Sequence, residues 1–223
     1  MKLSTIKKWM LCFFCCMNKM PKKIIIVFPG FGILPKEYDE ILPKNIHKVH
    51  LDIWTDDELK NIVSLIEDNK LGPPGTSSYN EWFDSIVSDC KEKILSEMRR
   101  YGYKLPRIIY FSHSLGSEVA EKLSDYADGI ITYGGIVKRS HIKTKNLLGT
   151  EDKLASRYYK SWPKDARPII DLNHFSCVSE VSKNRSLTWR KKLGIPAITE
   201  KQHTDDKRYI IRREIEWFVA EFL

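Results

Sequence analysis

Ile108-Ile109-Tyr110-Phe111-Ser112-His113-Ser114-Leu115-Gly116-Ser117, running on into Glu118-Val119-Ala120-Glu121-Lys122-Leu123, is the stretch from which the chain can be read. Four bulky apolar or aromatic residues predict a buried strand, and the residues after Gly116 predict a helix. Ser114 falls at the junction. A strand that turns at once into a helix forces its corner residue into strained backbone geometry, so the residues two positions away must be small, as Ser112 and Gly116 are. Such a corner lifts its hydroxyl above the sheet and aims the next backbone N–H at whatever binds there.

Working outward, Ile24-Ile25-Ile26-Val27-Phe28 is a β-branched run suited to a central strand covered on both faces. It stops at Pro29-Gly30-Phe31-Gly32, where glycines let the backbone turn and expose its amides. Val49 to Trp54 alternates as a strand, and Thr55-Asp56-Asp57-Glu58 supplies the capping oxygen and first-turn acids of a helix start. Trp82, Ile86, Cys90 and Ile94 recur every fourth residue and predict an amphipathic helix over 80–100. Ile130 to Val137 is a further apolar strand, Arg167 to His174 a last strand with its exit loop, and Ile211, Ile215, Phe218 and Phe222 mark a closing helix. Strands alternating with helices predict an α/β fold: a doubly wound, mostly parallel sheet of about six strands with helices on both faces. Its functional groups should gather at the strand carboxyl ends.

The corner pentapeptide S-H-S-L-G resembles the nucleophile elbow G-x-S-x-G of the α/β-hydrolase superfamily, with Ser112 in place of the first glycine. The resemblance spans residues 24–223. It implies Ser114 as nucleophile, with the backbone amides of Phe31 and Leu115 as the oxyanion hole, although Pro29 stands where a histidine is usual. The superfamily orders its triad Ser, Asp, His. Asp152, after an apolar strand and Gly149-Thr150, resembles the acid-bearing loop, with Glu151 as the alternative. His47 and His50 precede the nucleophile, His141 precedes the acid, and His113 occupies an elbow position expected to point away from the site. His174 and His203 remain as the base, and His174, directly off a strand, is preferred.

The eight residues from Lys138 to Lys145, polar except for Ile142, cannot build the lid often inserted there, so the expected form is small and lidless. Phe31, Phe175 and Trp162 are the expected lining of an apolar acyl pocket. The implied activity is serine hydrolysis of carboxylic esters or thioesters, lipase- or esterase-like, on a small-molecule or lipid acyl ester. The competing reading is a catalytically silent member used as a binding or scaffold module. No metal-ligand spacing, P-loop or dinucleotide glycine pattern appears, so no cofactor is expected.

Charge and length bound the rest. The chain has 223 residues and a net charge of +8, but Lys2, Lys7, Lys8, Lys19, Lys22 and Lys23 carry +6 of it within the first 23 residues. The remaining +2 is spread over a body of single-domain size, which argues against nucleic-acid binding. Two parts are thus expected, a basic, apolar, Cys-rich tail over 1–23 and a hydrolase domain over 24–223. Trp9 to Met17 is an apolar run too short to span a bilayer, which takes about 20 residues. Flanked by lysines and carrying Cys12, Cys15 and Cys16, it suits peripheral contact with an anionic membrane surface and S-acylation. Residue 2 is Lys, which excludes N-myristoylation. Five cysteines without regular spacing point to a reducing, intracellular location. Nothing in the sequence specifies the oligomeric state.

Overall fold

The computed structural model describes residues 21–139, 141–158, 163–195 and 207–222. The tail sequence before residue 21, with Cys12, Cys15 and Cys16, lies outside them, as do Trp162 and His203. Six strands form one sheet: β1 (Lys23–Phe28), β2 (His47–His50), β3 (Arg107–His113), β4 (Gly129–Tyr133), β5 (Lys143–Gly149) and β6 (Ala166–Ile169). They lie in the order β2-β1-β3-β4-β5-β6, and every neighbouring pair is parallel.

The alternation of side chains along the strands sorts the core into two layers. Ile25 and Val27 of β1, Ile109 and Phe111 of β3, and Ile131 and Tyr133 of β4 face one layer. It is closed by Ile211, Ile215 and Phe218 of the last helix, α6 (Arg208–Ala220). Ile24, Ile26 and Phe28, with Ile108, Tyr110 and Ile130, face the other. That face is covered by α1 (Asp56–Glu67), α2 (Ser77–Tyr101) and the short α3 (Gly116–Lys122). A strand buried on both faces cannot alternate in polarity, which is why β1 reads as an unbroken apolar run.

Local signals set the helix boundaries. The Thr55 hydroxyl accepts the Glu58 amide at 3.2 Å and starts α1, and the Thr76 hydroxyl accepts from Tyr79 and starts α2. Along α2 the fully buried line is Phe83, Ile86, Cys90 and Ile94, while Trp82 sits half-buried at its margin.

Two strands differ from the sequence expectation. The strand expected over 130–137 ends at Tyr133, because Gly134 takes a φ of 66° and turns the chain. Val137 still enters the core: the buried Asn146 amide of β5 bonds both its N–H and its carbonyl at 3.0 Å, supplying by side chain what a ladder would have supplied. The strand expected over 49–54 likewise stops at His50. The described residues of the connection from Tyr133 to Lys143 form no helix or strand. No helix among the described residues is long and apolar enough to cross a membrane.

Candidate active site

The carboxyl ends of β1, β3, β5 and β6 converge on one edge of the sheet, and each delivers a different chemical group. β3 delivers Ser114. Its φ of 51° lies in the left-handed region, where a residue with a Cβ is strained. The corner is held from two sides: the Ser114 amide donates to the Tyr133 carbonyl at 3.0 Å, and its own carbonyl accepts from Ser117 at 2.9 Å. Gly116 has no room for a side chain, since a Cβ there would lie 2.5 Å from the Phe28 carbonyl oxygen and 2.6 Å from that of Pro29. Position 112 tolerates a serine because its buried hydroxyl meets the Ser117 hydroxyl at 3.1 Å. A buried polar atom with a partner costs little.

The loop after β1 is pinned at every carbonyl. Pro29 O accepts from Trp54 Nε1 at 3.0 Å, Gly30 O from the Ile33 amide at 3.0 Å, and Phe31 O from Ser186 Oγ at 2.6 Å, while Gly32 O accepts from Arg185. A trans peptide points its N–H opposite to its C=O. With Gly30 O turned toward Ile33, the Phe31 N–H faces out of the turn. No acceptor among the described residues takes the Phe31 or the Leu115 amide. The Phe31 ring packs on Trp54 with centroids 5.1 Å apart.

Arg185 and Ser186 sit on α5 (Glu180–Lys192), a helix that sequence reasoning missed. Its stretch EVSKNRSLTWRKK has no apolar stripe, and the residues it buries are Ser182, Lys183 and Ser186. Hydrogen bonds to the loop dock it together with the partly buried Leu187 and Trp189; Arg185 also reaches Trp54 O at 3.0 Å and Asp56 at 2.6 Å.

β5 and β6 supply an acid and a base. Asp152 follows the turn after β5, and one of its oxygens accepts from the Ala155 amide at 2.7 Å, at the start of α4 (Lys153–Tyr158). Its other oxygen lies 2.9 Å from His174 Nδ1, with both side chains almost wholly buried. A carboxylate can only accept, so His174 carries a proton on Nδ1, and the tautomer of the neutral ring that this contact selects has its lone pair on Nε2. Asp152, not Glu151, makes this contact.

The pair sits beside the elbow, across a two-glycine turn. A Cβ on Gly134 would fall 2.9 Å from the His174 ring and 3.4 Å from Asp152, and one on Gly135 would fall 3.0 Å from the Ser114 carbonyl oxygen. Only glycines let the three approach this closely.

Phe175, expected to line an acyl pocket, is instead buried in the core, edge-on to the His174 ring. His113 also differs from expectation. Rather than pointing clear of the site, its ring is buried 4.9 Å from that of His174. His47 pairs with Glu97, His50 with Asp39 and His141 with Asp125, all away from the dyad. No cluster of His, Cys, Asp or Glu among the described residues is arranged to hold a metal ion. A cleft of about 660 Å³ lined by Lys22, Met98, Leu105 and Tyr126 lies at the amino ends of β1 and β3, opposite this site.

Sheet order, parallel pairing and a strained serine between β3 and α3 make a doubly wound, all-parallel α/β fold with the corner residue at its strand carboxyl ends. Comparison with solved structures finds similarity to a candidate hydrolase of the alpha/beta superfamily from Xanthomonas campestris pv. campestris. That match has a TM-score of 0.43 and 15% identity, over 77% of this chain and 98% of that one. No protein-family model matches the sequence. No curated protein matches it either.

Proposed function

We propose that this protein is a serine hydrolase that cleaves carboxylic esters or thioesters through Ser114, His174 and Asp152. The observation that carries the proposal is the buried 2.9 Å contact of His174 with Asp152, beside a serine at a φ of 51°. A serine hydroxyl is a weak nucleophile at neutral pH and needs an imidazole to take its proton as it attacks. Asp152 fixes the tautomer that leaves Nε2 free for that task and stabilises the imidazolium that forms. The amides of Phe31 and Leu115 would receive the oxyanion, and removing one such donor typically costs about 3 kcal/mol of transition-state stabilisation. The imidazolium returns its proton to the leaving alcohol or thiol. Water, deprotonated by His174, then releases the acyl group and restores Ser114.

The apolar, lysine-flanked stretch from Trp9 to Met17 favours a lipid or lipidated acyl ester and peripheral contact with a membrane. A fluorophosphonate probe tests the chemistry: wild type should label on Ser114 and Ser114→Ala should not. Absence of labelling in the wild type would leave a silent binding module. A panel of p-nitrophenyl esters and acyl thioesters of graded chain length then ranks substrates.

A further inference from the structure

We propose that Tyr38 and His113 are positioning residues, a buried relay that locks the oxyanion loop and the base-bearing loop into one register. The proposal rests on the triad reading above. Tyr38 ends the short 3-10 turn Pro35–Tyr38, and its hydroxyl accepts the Gly30 amide at 3.0 Å and meets His113 Nδ1 at 2.8 Å. On the far side of the ring, His113 Nε2 lies 2.9 Å from the His174 carbonyl oxygen. One arrangement of protons satisfies all three contacts. A carbonyl only accepts, so Nε2 must carry a proton; the neutral ring then has a bare Nδ1, to which the Tyr38 hydroxyl donates. The opposite tautomer would set a lone pair against the carbonyl oxygen.

The ring is kept neutral by its surroundings. Burial pushes His113 well below its ordinary 6.5, with His174 acting in the same direction, and burial pushes the Tyr38 phenol well above its ordinary 10. The titratable groups near the pair are His174 on the loop after β6, Cys177 beyond it, Tyr133 on β4 and Glu37 in the 3-10 turn. The one carboxylate among them, Glu37, is not bonded to the ring, whose partners are the Tyr38 hydroxyl and the His174 carbonyl.

The relay spans the distance that catalysis must keep constant. At one end Gly30 lies flat on the imidazole: a Cβ there would sit 2.5 Å from His113 Nδ1. Phe31, the expected oxyanion donor, is the next residue. At the other end the base loop is gripped twice. His113 and Tyr133 are register partners on β3 and β4, and the Tyr133 hydroxyl donates to the Asn173 carbonyl at 2.7 Å. Successive carbonyls, Asn173 and His174, are thus tied to adjacent strands. The Asp152 contact orients the His174 ring; the relay places its backbone relative to the Phe31 amide.

The test uses the full chain with ¹⁵N-histidine labelling, and compares wild type with Tyr38→Phe, His113→Gln and His113→Leu. In the wild type, His113 should show the neutral Nε2–H tautomer without titrating between pH 5 and 8, values that bracket an ordinary histidine. Hydrolysis of p-nitrophenyl acetate should lose about tenfold in kcat with little change in KM in Tyr38→Phe, and more in His113→Leu. His113→Gln, which keeps an N–H donor, should recover much of that loss. A His113 that titrates or carries its proton on Nδ1 would overturn the proposal. So would a Tyr38→Phe protein with wild-type kcat, or Gln and Leu variants of equal activity and equal melting temperature. Failure of the triad reading looks different: the tautomer is found as expected, yet wild type neither labels at Ser114 nor turns over, and the positioning role falls with it.

Discussion

Ser114 holds a backbone conformation that costs a residue with a side chain about 1–3 kcal/mol, and the cost is met by the strands around it. Two substitutions separate strain from chemistry. Ser114→Ala and Ser114→Gly should both abolish fluorophosphonate labelling. In denaturant titrations, however, the glycine variant should be the more stable by about 0.5–1 kcal/mol, because glycine enters the left-handed region without a steric penalty. Equal stabilities would mean that the elbow is relaxed.

His113 gives a second expectation at this scale. Its native pKa is depressed by burial, so below the ordinary histidine value of about 6.5 the unfolded chain binds a proton that the native state refuses. That contribution is complete above pH 6.5 and is lost as the pH falls. Between pH 6.5 and 5.5 the loss should be about 1 kcal/mol, and unfolding of His113→Gln across the same window should show a shallower slope. Identical slopes would place His113 in contact with water.

Among the elements, α5 (Glu180–Lys192) matters out of proportion to its apolar content. Removing the Ser186 hydroxyl leaves the Phe31 carbonyl without its 2.6 Å partner, a loss of about 1–2 kcal/mol borne by the loop expected to hold the oxyanion. Ser186→Ala should therefore slow probe labelling by about tenfold while the far-ultraviolet spectrum stays unchanged. Helix α2 (Ser77–Tyr101) offers the contrasting case, since its buried line from Phe83 to Ile94 is apolar and only Glu97, paired with His47 and Arg100, breaks it. Burial pushes the Cys90 thiol up to about 12, so alkylation at pH 8 should leave Cys90 unmodified until the protein unfolds.

These two helices also mark where the sequence is legible. α2 announces itself because Ile86, Cys90 and Ile94 repeat with the helical period on the buried face. α5 does not, because its distant contacts are made by its N-cap Ser179 and by Arg185 and Ser186, whose partners Glu37, Gly32 and Phe31 lie about 150 residues away. The same division runs through the site. That Asp152 and His174 could meet is readable from strand ends and chain order. Tyr38 carries no such mark, since its role exists only when the 3-10 turn, β1 and β3 are packed together.

For the molecule as a whole, the two-layered core distributes stability unevenly. α6 (Arg208–Ala220) closes one face, with Phe218 fully buried against it and Glu214 bonded to Lys145 at 2.7 Å and Arg167 at 2.9 Å. Phe218→Ala should cost about 3–5 kcal/mol in urea unfolding, because the neighbouring strands are too rigid to fill the void. A loss below 1 kcal/mol would mean that α6 is dispensable to the fold.

Strand β1 bonds to β2 on one side and to β3 on the other, and β3 begins some eighty residues later in the chain. A nascent polypeptide therefore carries Ile24 to Phe28, uncharged and strongly β-forming, with one flank open while the intervening helices are made. Such a segment recruits copies of itself into aggregates. Lys22 and Lys23 before it and Pro29 after it are the residue types that repel or cap such pairing, so the chain guards its central strand during synthesis with the same proline that later bonds Trp54.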